Sequence, residues 1–225
     1  MTAVLSSAKG QTIPELSQAY IDVRAWSDRI CQPLAIEDYV IQTMPDVSPP
    51  KWHLAHTTWF FETFLLQPYL PGYDVFHPRY GYLFNSYYEA VGDRHPRPER
   101  GLLARPTVAE IERYRGYVDQ AMQALIKEQG EDPAIAALIT LGLHHEQQHQ
   151  ELLVTDIKHI FANNPLYPTY RTDLAWTQTS AQELKTEKLL PLQWLEFAGG
   201  VHEIGFAGSE FHFDNEGPRH PVYVQ

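Results

Sequence analysis

The segment HHEQQHQE at residues 144–151 carries imidazole side chains at a spacing that suits a metal ion. Positions four apart lie on the same face of a helix, so His145 and His149 can direct both rings toward one point. Imidazole nitrogens bind zinc, iron, copper and nickel. Two ligands do not complete a site, so the pair predicts a metal centre that needs a third ligand from another element.

The best candidate for the third ligand is His56, in the segment WHLAHTTWFFE. Its large aromatic neighbours predict a helix that packs inside a bundle. A histidine in that setting is either a core residue with satisfied hydrogen bonds or a ligand, and the HEQQH pair elsewhere favours the ligand. His144 is displaced around the helix from His145, and His53 lies a turn before His56, so neither is expected to be a ligand.

The letters HEQQH also fit the H-E-x-x-H pattern of zinc proteases, in which Glu146 would be the general base. Gln147 and Gln148 make the helix polar where proteases pack it, and no third-ligand motif follows just downstream. The preceding helix is amphipathic and is not an edge strand for a peptide substrate. A zinc protease is therefore a minor alternative.

A second chemical feature is the loop RHPRPERG, in which Arg94, Arg97 and Arg100 recur every three residues. Guanidinium groups bind carboxylates through paired hydrogen bonds. One such arginine would be interpreted as part of a solvated basic turn. Three of them, in a loop stiffened by proline, favour recognition of a carboxylate substrate.

Helical periodicity dominates the elements that would position these residues. Long helices are predicted from Ile13, over about 51–66, from Thr107 to Gly130, and from Pro133 to the Asn163–Asn164–Pro165 stop, with a short helix in AIEDYVIQ. Residues 71–106 lack periodicity and are typical of a functional loop. From Trp194 onward, short apolar runs alternate with turn residues and predict strands and loops.

Composition excludes several classes of partner. The 225 residues carry 28 acidic and 17 basic side chains, a net charge of -11, which argues against nucleic acid and anionic membranes as partners. The one cysteine, Cys31, permits no intrachain disulfide and is most simply a packed core thiol. There is no signal peptide pattern and no apolar run of about 18 residues, so a cytoplasmic protein is expected. Oligomeric state is not predicted.

Three motifs, SPPKWHLAHTTWFFE, FNSYYEAVGDRHPRPERGLL and HHEQQHQELL, resemble in this order the ergothioneine-biosynthesis sulfoxide synthases. The resemblance implies a mainly α fold: a DinB-like four-helix bundle, followed by the beginning of an α+β, C-type-lectin-like domain similar to the formylglycine-generating enzyme. The tail GGVHEIGFAGSEFHFDNEGPRHPVYV resembles the opening of that second domain. We expect the bundle over residues 12–165, a linker over 166–190 and the second-domain fragment over 191–225.

The family resemblance also implies roles for individual residues. The metal is iron(II), and its implied ligands are His56, His145 and His149. The arginines that hold the carboxylates of the thiol substrate are Arg97 and Arg100, whereas Arg94 matches the family pattern less well. Gln148 corresponds to a glutamine near the histidine-derived substrate.

The implied reaction joins two small molecules with O2 as co-substrate. Iron(II) binds the imidazole of N-alpha-trimethylhistidine and the thiolate of gamma-glutamylcysteine or cysteine, a C–S bond forms at the imidazole ring, and the sulfur becomes a sulfoxide. The family's catalytic tyrosine lies in the C-terminal domain, and none of the tyrosines here matches it. Because the sequence stops at Gln225 within an expected strand, we predict a fragment that binds metal but forms little or no sulfoxide.

Three alternatives stay open at the level of sequence. A sibling reaction would join cysteine to histidine itself, as in ovothiol biosynthesis. A DinB-like metal-dependent thiol transferase would use a similar site on zinc or nickel, although the arginine loop and the C-terminal opening speak against it. The third is a non-catalytic bundle with structural histidines. Imidazoles alone do not select iron over zinc, and both thiols carry a carboxylate for the arginines.

Overall fold

Four long helices form the frame of the molecule in the computed structural model, which describes residues 12–86, 92–172, 191–208 and 210–225. The long helices are α1 (Ile13–Cys31), α2 (Pro50–Phe61), α5 (Val108–Gln129) and α6 (Pro133–Ala162), and two short helices, α3 (Gln67–Tyr69) and α4 (Tyr80–Phe84), lie between α2 and α5. Two strands follow, β1 (Gly200–Ile204) and β2 (His220–Val224). The prediction of a mainly α fold is confirmed.

Helix α5 shows how the sequence pattern produces an element. Thr107 Oγ1 accepts a hydrogen bond from the Glu110 amide at 3.2 Å, and the Glu110 carboxylate accepts from the Thr107 amide at 2.7 Å. This reciprocal pair satisfies amides that a helix start otherwise leaves unpaired. The predicted apolar stripe lies in the core: Ile111, Tyr114, Val118, Met122 and Leu125 are all buried.

The four long helices pack as a bundle in which α1 and α2 each contact both α5 and α6. Helix α6 begins where expected, because Asp132 accepts hydrogen bonds from the amides of Ala134 and Ile135. Among the described residues, the buried hydrophobic side chains all lie between Leu16 and Ile160. The core is therefore the interior of the bundle, and α2 and α6 meet inside it.

Helix α2 departs from its predicted end. It was predicted to end near residue 66, but a π turn over Glu62–Leu66 leads directly into α3, which continues to Tyr69. Pro68 therefore lies directly after the π turn and does not end the helix, which continues through it to Tyr69. The segment AIEDYVIQ is likewise shorter than predicted and forms a 3₁₀ helix over Ile36–Val40.

The single cysteine is buried in this core. Burial raises the pKa of the Cys31 thiol to about 12, so the thiol stays protonated and unreactive near neutral pH. Its backbone carbonyl accepts a hydrogen bond from the Tyr39 hydroxyl at 3.0 Å. These contacts agree with a packed core thiol.

The C-terminal strands pair as an antiparallel hairpin with Gly200 opposite Val224 and Ile204 opposite His220. Strand and loop structure was predicted for this region and is confirmed, whereas a lectin-like domain stays a prediction. Most of the expected linker lies outside the described residues, so the three domain boundaries also stay predictions. Within the part of the chain that the structure describes, no helix combines the length and apolar character needed to cross a membrane.

Candidate metal centre

Helices α2 and α6 bring three histidines together. One ring nitrogen from each of His56, His145 and His149 lies within 4.8 Å of the other two, so the group can hold a metal ion. The ring centroids are 5.0 Å apart for His56 and His145, and 4.6 Å for His56 and His149. The pair on α6 is separated by 4.7 Å, as expected for positions one helical turn apart.

The ring of His56 is fixed on several sides. Its Nδ1 atom lies 2.6 Å from the carbonyl oxygen of Phe84, at the end of α4. Because a carbonyl only accepts, this nitrogen carries the hydrogen and the lone pair lies on Nε2. Trp52 stacks on the ring at 4.6 Å with an interplanar angle of 11°, and Trp59 lies 5.6 Å away in a stacked orientation. Nε2 is thus the nitrogen of His56 available to an ion.

His149 is held by a residue that sequence reasoning missed. Its Nδ1 atom lies 2.9 Å from Nδ1 of His53, and Nε2 of His53 lies 2.9 Å from a carboxylate oxygen of Asp156. The Ser48 amide donates to the same oxygen at 2.9 Å. His53 is therefore not in the three-histidine group but contacts it. Two sequence spacings could have indicated this contact. His53 lies about one helical turn before His56 on α2, and Asp156 lies two helical turns after His149 on α6.

His145 provides a test of whether the site fits an ion. Its Nδ1 atom is buried and has no hydrogen-bond partner among the residues that the structure describes. A buried polar atom without a partner costs about 1–3 kcal/mol. The ring of His145 thus has a nitrogen that the described residues leave unsatisfied, and it also offers a nitrogen within 4.8 Å of those of His56 and His149. The residues present therefore fit a bound metal ion.

Burial keeps the three rings neutral. It lowers the pKa of His145 to about 4, and it lowers the pKa of His56 and of His149 well below the ordinary value. Repulsion from the neighbouring rings adds to the effect at His56 and His149. A neutral imidazole retains the lone pair that a metal ion requires, so the site needs no deprotonation near neutral pH.

The histidine cluster opens into a cavity of about 380 Å³. Its lining includes all six site residues that the sequence predicts: His56, His145, His149, Arg97, Arg100 and Gln148. A volume of this size is in the usual range for a small-molecule site. Two regions that are far apart in sequence, the arginine loop and α6, therefore meet around one space.

Arg100 lies deepest in the arginine loop. The carbon at the centre of its guanidinium lies 3.3 Å from the ring centroid of Trp52, on the wall of the same cavity. Nη1 donates to the Ser48 hydroxyl at 2.8 Å, and Nη2 donates to the Ser86 hydroxyl at 3.2 Å. Stacking and two hydrogen bonds therefore orient a buried positive charge close to the histidines.

The other two arginines differ in position. Arg97 lines the cavity and donates a hydrogen bond to the backbone carbonyl of Asp46. Arg94 does not line this cavity and donates to the backbone carbonyl of Ser86 at 2.6 Å. Arg94 therefore lies apart from the two arginines that line the cavity.

Glu146 points away from the cavity, so it is not positioned as a general base. Its carboxylate lies 2.7 Å from Nη1 of Arg24 and 3.5 Å from Nη2 of Arg115, and accepts a hydrogen bond from the Ser27 hydroxyl at 2.6 Å. Although burial opposes ionisation, the two guanidinium charges together lower the pKa of this carboxyl. Because the carboxylate is engaged across the bundle, the geometry argues against the zinc protease alternative.

Fold and site together define a helical bundle with three histidines that can hold a metal ion. The family model described as the DinB superfamily matches residues 19–153, a range that contains all three histidines. The chain belongs to the DinB superfamily. No curated protein matches it.

Proposed function

We propose that this protein is a non-haem iron(II)- and O2-dependent sulfoxide synthase of ergothioneine biosynthesis. It would join gamma-glutamylcysteine or cysteine to the imidazole ring of N-alpha-trimethylhistidine. The observation that supports this function best is a single cavity of about 380 Å³ lined by the three histidines and by two arginines of the RHPRPERG loop. A structural bundle has no need for arginines beside buried, neutral imidazoles.

The residues of the chain have separable roles in this proposal. His56, His145 and His149 hold the ion without adding charge to it. Arg97 and Arg100 bind the carboxylates of the thiol substrate through charge-assisted hydrogen bonds. Gln148, an amide on the cavity wall, contacts the histidine-derived substrate.

The overall reaction balances with O2 as the oxidant. The thiol loses its S–H hydrogen, the imidazole ring loses a C–H hydrogen, and a C–S bond forms between them. One atom of O2 becomes the sulfoxide oxygen, and the other leaves with the two hydrogens as water. Bound iron(II) supplies the redox chemistry, while the protein supplies binding, orientation and a site shielded from water.

Binding of the thiol tests the proposed role of the arginines. The chain is loaded with Co(II) as a probe, and gamma-glutamylcysteine is titrated while sulfur-to-metal charge-transfer absorption is followed. We expect Arg97→Met and Arg100→Met to weaken binding by about tenfold to a hundredfold, because a charge-assisted hydrogen bond contributes roughly 1.5–3 kcal/mol. Arg94→Met is the matched control and should bind as the unchanged chain does.

The thiol 2-mercaptoethanol, which lacks a carboxylate, should bind equally well to all of these variants. Equal affinity of Arg94→Met, Arg97→Met and Arg100→Met for gamma-glutamylcysteine would contradict the proposed carboxylate contacts. Parallel titrations with cysteine, and with histidine in place of N-alpha-trimethylhistidine, separate the ergothioneine reaction from the ovothiol reaction. Tight binding of zinc or nickel with no affinity for either histidine substrate would instead favour a DinB-like thiol transferase.

A further inference from the structure

A continuous chain of side chains connects His149 to a carboxylate outside the three-histidine group. His53 lies on α2 and is 4% exposed, while Asp156 lies on α6 and is 13% exposed. Their contacts run from Nδ1 of His149 to Nδ1 of His53 at 2.9 Å, and from Nε2 of His53 to Asp156 at 2.9 Å. These side-chain contacts therefore join α2 and α6, the two helices that carry the three histidines.

The direction of each hydrogen bond follows from which atoms can donate. An ionised carboxylate only accepts, so Nε2 of His53 carries the hydrogen that faces Asp156. In a neutral ring, Nδ1 of His53 is then an acceptor. The facing Nδ1 of His149 must donate, which leaves the lone pair of His149 on Nε2.

The opposite arrangement would remove His149 from the site. If Nδ1 of His149 accepted the bond, its hydrogen would lie on Nε2, and no lone pair would remain there for an ion. The amide of Ser48 also donates to Asp156 at 2.9 Å, which steadies the carboxylate in its accepting role. Partners of this kind commonly fix the orientation of ligand histidines.

We infer that His53 and Asp156 are positioning residues that hold His149 in the tautomer and orientation in which its Nε2 atom can bind a metal ion. The inference rests on the metal role of His149 in the proposed function. It assigns no ligand role to His53. His56 receives the equivalent support from a backbone carbonyl, that of Phe84 at 2.6 Å.

Nitrogen NMR of the metal-free chain tests the tautomer directly. With ¹⁵N-labelled histidine, Nδ1 of His149 should give the signal of a protonated nitrogen and Nε2 that of an unprotonated one. Asp156→Ala should let His53 reverse its hydrogen bonds and should populate the other tautomer of His149. Asp156→Asn retains an amide oxygen that can accept from His53, so it should restore most of the original signal.

Co(II) binding gives a second readout. His53→Phe and Asp156→Ala should lower Co(II) affinity by about tenfold to a hundredfold and change the visible absorption of the bound ion. The control variants His144→Phe and Glu151→Ala alter positions of α6 that do not contact His53 or Asp156. They should leave the Co(II) affinity and the visible absorption unchanged. Circular dichroism establishes that each variant is folded. If His53→Phe does not fold, the comparison of Asp156→Ala with Asp156→Asn tests the positioning role in its place.

The inference is overturned if the metal-free chain carries the His149 hydrogen on Nε2. Equal Co(II) affinity and identical spectra in His53→Phe, Asp156→Ala and the two controls would also overturn it, while leaving the proposed function intact. Conversely, a chain with the expected tautomer that binds no metal would support the positioning of His149 and overturn the proposed function.

Discussion

At the scale of single residues, the site is defined by imidazoles that burial holds in the neutral form. His56 and His149 each have Nδ1 hydrogen-bonded to the protein, whereas Nδ1 of His145 has no such partner among the described residues. The first two rings are therefore oriented before any ion binds. His145 is the ring whose environment a bound ion would change most.

The neutral imidazoles predict how the stability of the metal-free chain depends on pH. The folded state holds the pKa of His145 at about 4, below the ordinary value of 6.5. Between these values the unfolded chain binds more protons, so the free energy of unfolding should fall as pH decreases from about 6.5 toward 4. His145 alone contributes about 1.4 kcal/mol per pH unit in that window.

Urea unfolding at several pH values measures this slope. His145→Asn removes the titrating ring and should reduce the slope by about 1.4 kcal/mol per pH unit. Above pH 6.5 the two proteins should show the same pH dependence, because His145 is then neutral in both the folded and the unfolded state. An identical slope below pH 6.5 would show that the buried ring does not resist protonation.

At the scale of elements, an ion-pair network sets the position of α6. Glu146, the residue after ligand His145, contacts Arg24 of α1 and Arg115 of α5. Arg24 also donates to the Thr58 hydroxyl of α2 at 2.8 Å. All four long helices therefore meet at one buried cluster of charged and polar side chains, which includes Glu146 of α6.

Removing the carboxylate should destabilise the bundle strongly. Glu146→Ala removes the carboxylate that two buried guanidinium groups share. Each arginine keeps one other carboxylate, Asp119 for Arg24 and Asp28 for Arg115, so the expected loss is about 3 kcal/mol in the free energy of unfolding, the lower end of the range for breaking a buried ion pair. Glu151→Ala, an exposed change on the same helix, should stay within about 0.5 kcal/mol. Denaturant unfolding compares them, and equal stability would mean that the network does not hold α6 in place.

The elements also show what a sequence can predict. Helix α5 was predictable because a capping box, an apolar stripe and Gly130 mark its start, buried face and end. Helix α2 is buried on every side, so it has no polar face to define its period, and its π turn left no recognisable signal. The HEQQH pair was readable because it is local. The contact of His53 with His149 depends on how two helices are rotated against each other, which sequence spacing does not determine.

At the scale of the whole molecule, an acidic protein surrounds a site that contains two arginines. The net charge is -11, yet Arg97 and Arg100 both lie on the cavity that the histidines share. The family resemblance predicted that the two arginines and the histidines belong to one site. In the structure they meet because the loop over 92–106 packs back against α2. Lys51 of α2 donates hydrogen bonds to the carbonyls of Leu103 and Pro106, at 2.6 and 2.9 Å.

The C-terminal hairpin differs from the bundle in its exposed apolar surface. Trp194 and Phe197 precede β1 and are 88% and 85% exposed, and Tyr223 of β2 is 70% exposed. Phe211 stacks on His144 of α6 with a ring separation of 4.0 Å. The hairpin region therefore contacts the helix that carries two of the histidines without contributing to the buried core.

The metal content of the purified protein shows whether the three histidines bind iron. The chain is purified without air in the presence of iron(II), and bound metal is measured by mass spectrometry beside His56→Ala, His149→Ala and the control His144→Ala. We expect stoichiometric iron in the unchanged chain and the control, and its loss from both ligand variants. Absence of bound metal from the unchanged chain, or equal iron in His56→Ala, would contradict it.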